Sequence, residues 1–234
     1  MVRAYFFLAV LIPLTFLFAT SALLCTLVDA SGRSYAFHAR LLSRLLLFVA
    51  STTITLRGAE HLPPGPVIFM SNHQSNFDIL SILVSMPRQF CWIAKKELFD
   101  IPVFGISMKR GGYIPLDRSD GRKALKSMDN AAALIRGGKS VVMFPEGTRS
   151  IDRRLLPFKR GGFMLALKAG VPVVPVTING SGRVNPAGLT RLYPGEITIT
   201  LHPPIQPSSS GKRSDAETLL MEQVHSAISS VLEI

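Results

Sequence analysis

Apolar residues change their spacing several times between the first residue and the last. From Ala4 to Val28 no charged residue interrupts them. That run exceeds the roughly twenty residues that carry a helix across a bilayer core. A signal peptide is the competing reading, because Arg3 precedes the run and Ala19-Thr20-Ser21-Ala22 is small. The apolar stretch is long for a signal segment and continues past those small residues, which favours a retained membrane anchor. Between 35 and 52 leucines alternate with Arg40 and Arg44. Arginines four apart share a helical face, so the segment reads either as an amphipathic helix at an interface or as a core-packing helix with a solvated edge. Its positive charge places it at the cytoplasmic surface.

Beyond residue 52 the apolar runs shorten to strand length and alternate with helical stretches. Strands are expected at 53–56, 67–70, 90–94, 113–118, 141–144, 171–178 and 197–201. Helices are expected at 79–84, 101–109, 121–136, 163–169 and 215–232, with Gly111 and Gly137 as stops for two of them. Pro115 moves its strand toward a sheet edge, since proline has no N–H to give a second neighbour. Residues 207–211, Pro-Ser-Ser-Ser-Gly, have linker composition. This alternation implies an α/β fold, a mostly parallel sheet flanked by helices, with its ligand crevice at the carboxyl ends of the strands. The organisation read from the chain is an N-terminal pair of membrane-associated helices over 1–52, then one globular domain over 53–234.

Composition narrows the partners. The 234 residues carry a formal net charge of +11, from 26 Lys and Arg against 15 Asp and Glu. Such a balance suits nucleic acid, an anionic membrane or phosphorylated substrates. No recognition-helix, zinc-finger or RNA-binding signature accompanies it, so nucleic acid is not expected. Cys25 and Cys91 stand far apart and the five histidines are scattered, which suggests neither a metal site nor a structural disulfide.

Candidate chemistry lies in two turns that each follow an apolar strand. The first is Ser71-Asn72-His73-Gln74-Ser75-Asn76-Phe77-Asp78. Five helical positions rotate about 140°, so His73 and Asp78 meet only if His73 lies on the loop and Asp78 in the first helical turn. A carboxylate on one imidazole nitrogen fixes the tautomer and leaves the other free to take a hydroxyl proton. Asp78 as a simple helix-start residue is the plainer alternative. The second turn is Phe144-Pro145-Glu146-Gly147-Thr148-Arg149-Ser150. Gly147 permits close backbone approach, Thr148 offers a hydroxyl, and Arg149 can grip a phosphate through two N–H groups. Glu146 can orient that arginine or hold a substrate hydroxyl, and a surface loop with an ordinary salt bridge is the plainer alternative. Arg118, Lys159 and Arg160 add positive charge nearby in sequence order.

These blocks, in this order, resemble the glycerolipid acyltransferase family, and within it the 1-acyl-glycerol-3-phosphate acyltransferases. The family's H-x4-D block matches His73 to Asp78, and its F-P-E-G-T-R block matches Phe144 to Arg149 without departure. The intervening block resembles Gly112 to Arg118, with Pro115 and Leu116 altering its usual core. The resemblance covers about residues 53–204. It implies that His73 is a general base oriented by Asp78, and that Arg118 and Arg149 hold the glycerol phosphate in a pocket shaped by Glu146, Gly147 and Thr148. It further implies acyl transfer from acyl-CoA or acyl-carrier protein to the free hydroxyl of lysophosphatidate, giving phosphatidate. No metal or cofactor enters; the donor is a substrate. What stabilises the thioester oxyanion is not legible in the sequence; a backbone N–H near the start of the helix after His73 is one candidate. The bilayer is then a partner, with the protein on an inner or plasma membrane and its active site facing the cytoplasm. Alternatives are another lysolipid or glycerol 3-phosphate as acceptor, a membrane-anchored thioesterase or lipid hydrolase, and a non-catalytic lipid-binding protein.

Overall fold

The computed structural model describes residues 2–29, 31–117, 121–186, 191–208 and 212–234. It opens with helix α1 (Val2–Cys25), long and apolar enough to cross a membrane, and helix α2 (Arg33–Val49). Phe6, Ile12, Phe16 and Leu17 of α1 and Phe37 and Phe48 of α2 point outward. Ala4 and Phe7 of α1, and Leu46 and Leu47 of α2, instead enter the same apolar cluster as the sheet that follows. Arg40 does not serve a free interface. Its guanidinium donates to the Met86 and Arg88 carbonyl oxygens, both at 3.1 Å, and fastens α2 to the segment beyond the next helix.

Seven strands then form one sheet: β1 (Thr52–Arg57), β2 (Ile68–Ser71), β3 (Cys91–Lys95), β4 (Ile114–Leu116), β5 (Val141–Met143), β6 (Val173–Asn179) and β7 (Gly195–Leu201). Their order is β1-β7-β6-β2-β5-β3-β4, and every pairing is parallel except β6 with β7. The mostly parallel sheet expected from the alternation is therefore present, with β1 and β7 reversed at one end. Strand β4, with Pro115, is an edge strand, as a residue without an N–H requires. Pro175 sits inside β6, a central strand. It is tolerated because the ladder to β7 starts one residue later, at Val176, while the Pro175 carbonyl still accepts from His202 N–H at 3.0 Å.

The remaining helices are α3 (Phe77–Ser85), α4 (Phe104–Arg110), α5 (Gly121–Arg136), α6 (Arg160–Ala169), the short α7 (Ser181–Val184) and α8 (Arg213–Ser229). Successive strand residues point to opposite faces, and two apolar clusters follow from this. Phe69, Trp92, Val142 and Val174 face α1, α2 and α3, whereas Ile68, Met70, Ile93 and Met143 face α5, α6 and α8. Both clusters contain fully buried large side chains, among them Phe77 on one side and Phe163 on the other. The turns that follow β2 and β5 leave the same end of adjacent parallel strands, because Met70 is paired with Met143.

Candidate active site

Residues 72–76 link β2 to α3. Their course is locked from below by Asn72, whose amide bridges to β6: its Nδ2 donates to Ile178 O at 2.9 Å, and its Oδ1 accepts from Ile178 N–H at 2.7 Å. His73 stands on this loop and Asp78 in the first turn of α3, so the chain does fold back between them. His73 Nδ1 lies 2.7 Å from Asp78 Oδ2. The same oxygen accepts from the backbone N–H of Gln74 at 2.7 Å and of Ser75 at 2.9 Å. The Asp78 side chain is wholly buried and that of His73 is 14% exposed. Donation to a carboxylate puts the proton on Nδ1 and leaves Nε2 bare. Nε2 has no hydrogen-bond partner among the described residues, and His73 forms part of an apolar cavity wall.

The turn after β5 meets this loop and grips its main chain. Glu146 Oε1 accepts from His73 N–H at 2.6 Å and Oε2 from Leu156 N–H at 2.8 Å. Ser150 N–H donates to the His73 carbonyl at 2.8 Å, so His73 is fixed on both sides. Glu146 is almost wholly buried. Burial pushes its carboxyl up to about 7, partly offset by the two N–H donors, with the Asp78 charge adding to the rise. Gly147 turns the chain at φ 74°, a conformation that favours glycine. Thr148 and Arg149 are exposed at the rim of the cavity that His73 lines. Arg149 Nη1 donates to Asn76 Oδ1 at 2.9 Å, which holds the guanidinium over the start of α3. The ring of Phe144 lies flat on the His73 imidazole, centroids 3.9 Å apart and planes 8° from parallel, and Trp92 stacks beside Phe144 at 5.4 Å.

Two cavities flank this turn. One, about 480 Å³, runs between α1, α2, α3 and α4 and carries His73, Gly147, Thr148 and Arg149 in its wall. The other, about 510 Å³, lies on the opposite face between β4, α5 and α6, with Glu146, Thr148 and Lys159 among its polar residues and Met128, Ala131 and Leu165 among its apolar ones. They share Ile93, Met143, Phe144, Gly147 and Thr148, at the carboxyl ends of β3 and β5.

Of the residues singled out from sequence, His73, Asp78, Glu146, Gly147, Thr148 and Arg149 come together here. Arg118 lies outside the described residues. Glu146 is turned inward onto two backbone N–H groups, rather than toward Arg149 or the cavity rim. Among the N–H groups near the start of α3, Gln74 and Ser75 donate to Asp78, and Phe77 donates to Ser75 Oγ at 3.2 Å. Asn72, Asn76 and Phe144 escaped the reading of the sequence as site residues. Asn72 and Asn76 lie inside the first quoted turn and Phe144 opens the second, a local signal that was available, although no role was attached to them there.

A histidine–carboxylate pair at the mouth of an apolar cavity, with a guanidinium at its rim, suits proton transfer beside a lipid-like substrate. Comparison with known proteins agrees with that class. The family model described as Acyltransferase matches residues 53–179, and the chain belongs to the acyltransferase family. It is 42% identical over 160 residues to a 1-acyl-sn-glycerol-3-phosphate acyltransferase of Chlamydomonas reinhardtii, covering 67% of this chain and 48% of that one. To the alpha form of the same enzyme from Bos taurus it is 32% identical over 197 residues, covering 83% of this chain and 68% of the bovine one. The chain thus spans about half the length of the first of these relatives. The crystal structure of the 1-acyl-sn-glycerophosphate (LPA) acyltransferase PlsC from Thermotoga maritima has the same fold, with a TM-score of 0.79 at 22% identity, over 98% of this chain and 96% of that one.

Proposed function

We propose that the chain transfers a fatty acyl group from an acyl thioester to the free hydroxyl of 1-acyl-glycerol 3-phosphate at a membrane surface, forming phosphatidate. The observation that carries this reading is His73, with Nδ1 engaged by the buried Asp78 carboxylate at 2.7 Å and Nε2 free in the wall of an apolar cavity. In this reading Nε2 takes the hydroxyl proton as the acceptor oxygen attacks the thioester carbonyl carbon. The carbon–sulfur bond then breaks, and the imidazolium returns the proton to the departing thiolate. Asp78 holds the ring and offsets its positive charge in between. Arg149, with Arg118, holds the acceptor phosphate, and Thr148 and Gly147 shape the same pocket. Glu146 acts on His73, by fixing its backbone. The step uses no metal or cofactor.

Residues 1–52 serve as the membrane anchor and 53–234 as the catalytic domain. The outward apolar residues of α1 and α2 support this, since both helices also wall the cavity that contains His73. A lysolipid can then reach the base from the bilayer, its own chain staying in apolar surroundings. The second cavity, on the face away from those helices, suits the chain of a donor delivered from water by acyl-CoA or acyl-carrier protein. The protein's positive charge favours the anionic cytoplasmic leaflet.

A hydrolase would use the same pair on water. The two separate when an acyl thioester is supplied with and without lysophosphatidate and both phosphatidate and free fatty acid are measured. Phosphatidate that depends on the acceptor, with little free acid, supports transfer. Free acid formed at one rate whether or not the acceptor is present would sink it.

A further inference from the structure

We propose that Phe144 is a positioning residue that raises the basicity of His73 by stacking on it, so that the ring face stabilises the imidazolium formed during each turnover. The inference rests on the assignment of His73 as the base and asks what tunes it. The stack is close and nearly parallel, 3.9 Å and 8°. An aromatic face carries negative charge in its quadrupole and attracts a cation held within about 6 Å of the ring centre. The cation here exists only after proton transfer, so the attraction is weak for neutral imidazole and strengthens as the proton arrives. An interaction that grows along the reaction coordinate accelerates the step.

Phe144 is itself immobilised. Trp92 stacks against it at 5.4 Å and 29°, and Phe90 packs edge-on to Trp92 at 5.5 Å. Phe144 directly follows β5 and opens the turn that holds the main chain of His73, so ring and imidazole are set by one turn. The charged and titratable groups that contact His73 or share its cavity wall are Asp78 from α3, Glu146 and Arg149 from the turn after β5, Lys95 from the end of β3, Tyr35 and His38 from α2, and Tyr113 just before β4. Asp78 already favours the imidazolium, while Arg149 and Lys95 oppose it. Phe144 adds to the favourable side without a second charge that would need to be buried.

The test compares Phe144→Leu, which keeps an apolar contact and loses the quadrupole, with pentafluorophenylalanine at position 144, which keeps the ring shape and reverses the quadrupole. The His73 imidazole is followed by NMR in detergent and assigned by its absence in His73→Gln; kcat and KM are measured on the same samples. With Leu the titration midpoint of His73 falls by about half to one pH unit, and with the fluorinated ring at least as far. The kcat drops about 3- to 10-fold in each while KM for the acceptor stays within twofold. Phe144→Tyr, which retains the ring face, restores both midpoint and rate. A His73 midpoint that is unmoved or rises in the fluorinated protein would overturn the proposal, and because the shape is kept this holds even if Phe144→Leu fails to fold. Failure of the base assignment itself looks different: His73→Gln would then retain the wild-type rate.

Discussion

Asp78→Asn isolates the charge that faces the base. Asparagine has the same shape, and its oxygen can stay on the three donors that now converge on Oδ2: His73 Nδ1 at 2.7 Å, Gln74 N–H at 2.7 Å and Ser75 N–H at 2.9 Å. Its amide group takes the place of Oδ1, which has no hydrogen-bond partner, so no existing bond is blocked. The loop should therefore keep its course. What disappears is the negative charge beside an imidazolium. Two unit charges about 4 Å apart interact by about 4 kcal/mol at an effective dielectric of about 20. At about 1.4 kcal/mol per factor of ten, that corresponds to a loss of about 10³-fold in kcat, inside the range of about 10²–10⁴ for general-base catalysis. Because the acceptor binds elsewhere, KM changes little. Steady-state kinetics with lysophosphatidate across pH 5–9, with circular dichroism to verify the fold, make the measurement. A folded Asp78→Asn protein within about threefold of the wild-type kcat would refute the reasoning.

Glu146→Gln can keep only one of the two backbone bonds to His73 and Leu156, so kcat should fall while KM for the acceptor holds; a rise in KM at unchanged kcat would instead put Glu146 on the substrate. The same carboxyl, raised to about 7 from 4.5 by burial, binds a proton in the folded chain at pH values where the unfolded chain has released it. Its contribution to stability is therefore present below about pH 4.5 and lost as pH climbs to about 7, a slope that denaturant titrations should show for the wild type and not for Glu146→Gln. Arg149→Ala should raise KM for the acceptor about 10- to 100-fold, as expected for a charge-assisted phosphate contact of about 1.5–3 kcal/mol. Asn76→Ala, which frees that guanidinium, should give a smaller rise, and equal KM values in all three proteins would remove Arg149 from the phosphate. At Gly162 an added Cβ would lie 2.8 Å from Met143 Cε and 3.1 Å from its Sδ. Gly162→Val should push that flexible side chain into the second cavity and shift donor preference to shorter chains in a mixed-donor competition; an unchanged preference would place the donor chain elsewhere.

Much of the fold was legible because its signals are local. Short apolar runs marked all seven strands to within a few residues, and Pro115 alone pointed to the edge position of β4. The reversed direction of β1 and β7 was not legible, since it depends on pairing partners far apart in sequence. The four-residue α7 was equally hidden, being too short for a periodic pattern. In the site, the five-residue spacing of His73 and Asp78 already required a loop-to-helix return, which is the arrangement found. The inward turn of Glu146 was not legible, because a carboxylate beside an arginine reads as its partner until the backbone N–H groups of His73 and Leu156 are placed. Asn76 meets Arg149 across 73 residues, and Phe144 shows its relation to His73 only through ring geometry. Sequence marks which groups are present; their orientation comes from contacts between the two turns.

The most direct test of the whole account is a single-turnover reaction of detergent-solubilised protein with lysophosphatidate and an acyl thioester, presented as acyl-CoA and, separately, as acyl-carrier protein. Phosphatidate is quantified by mass spectrometry for the wild type and for His73→Ala. The account predicts phosphatidate from the wild type with at least one donor and a loss of about 10²–10⁴-fold in rate for the variant. Equal rates from the two proteins, or no phosphatidate from the wild type with either donor, would contradict it.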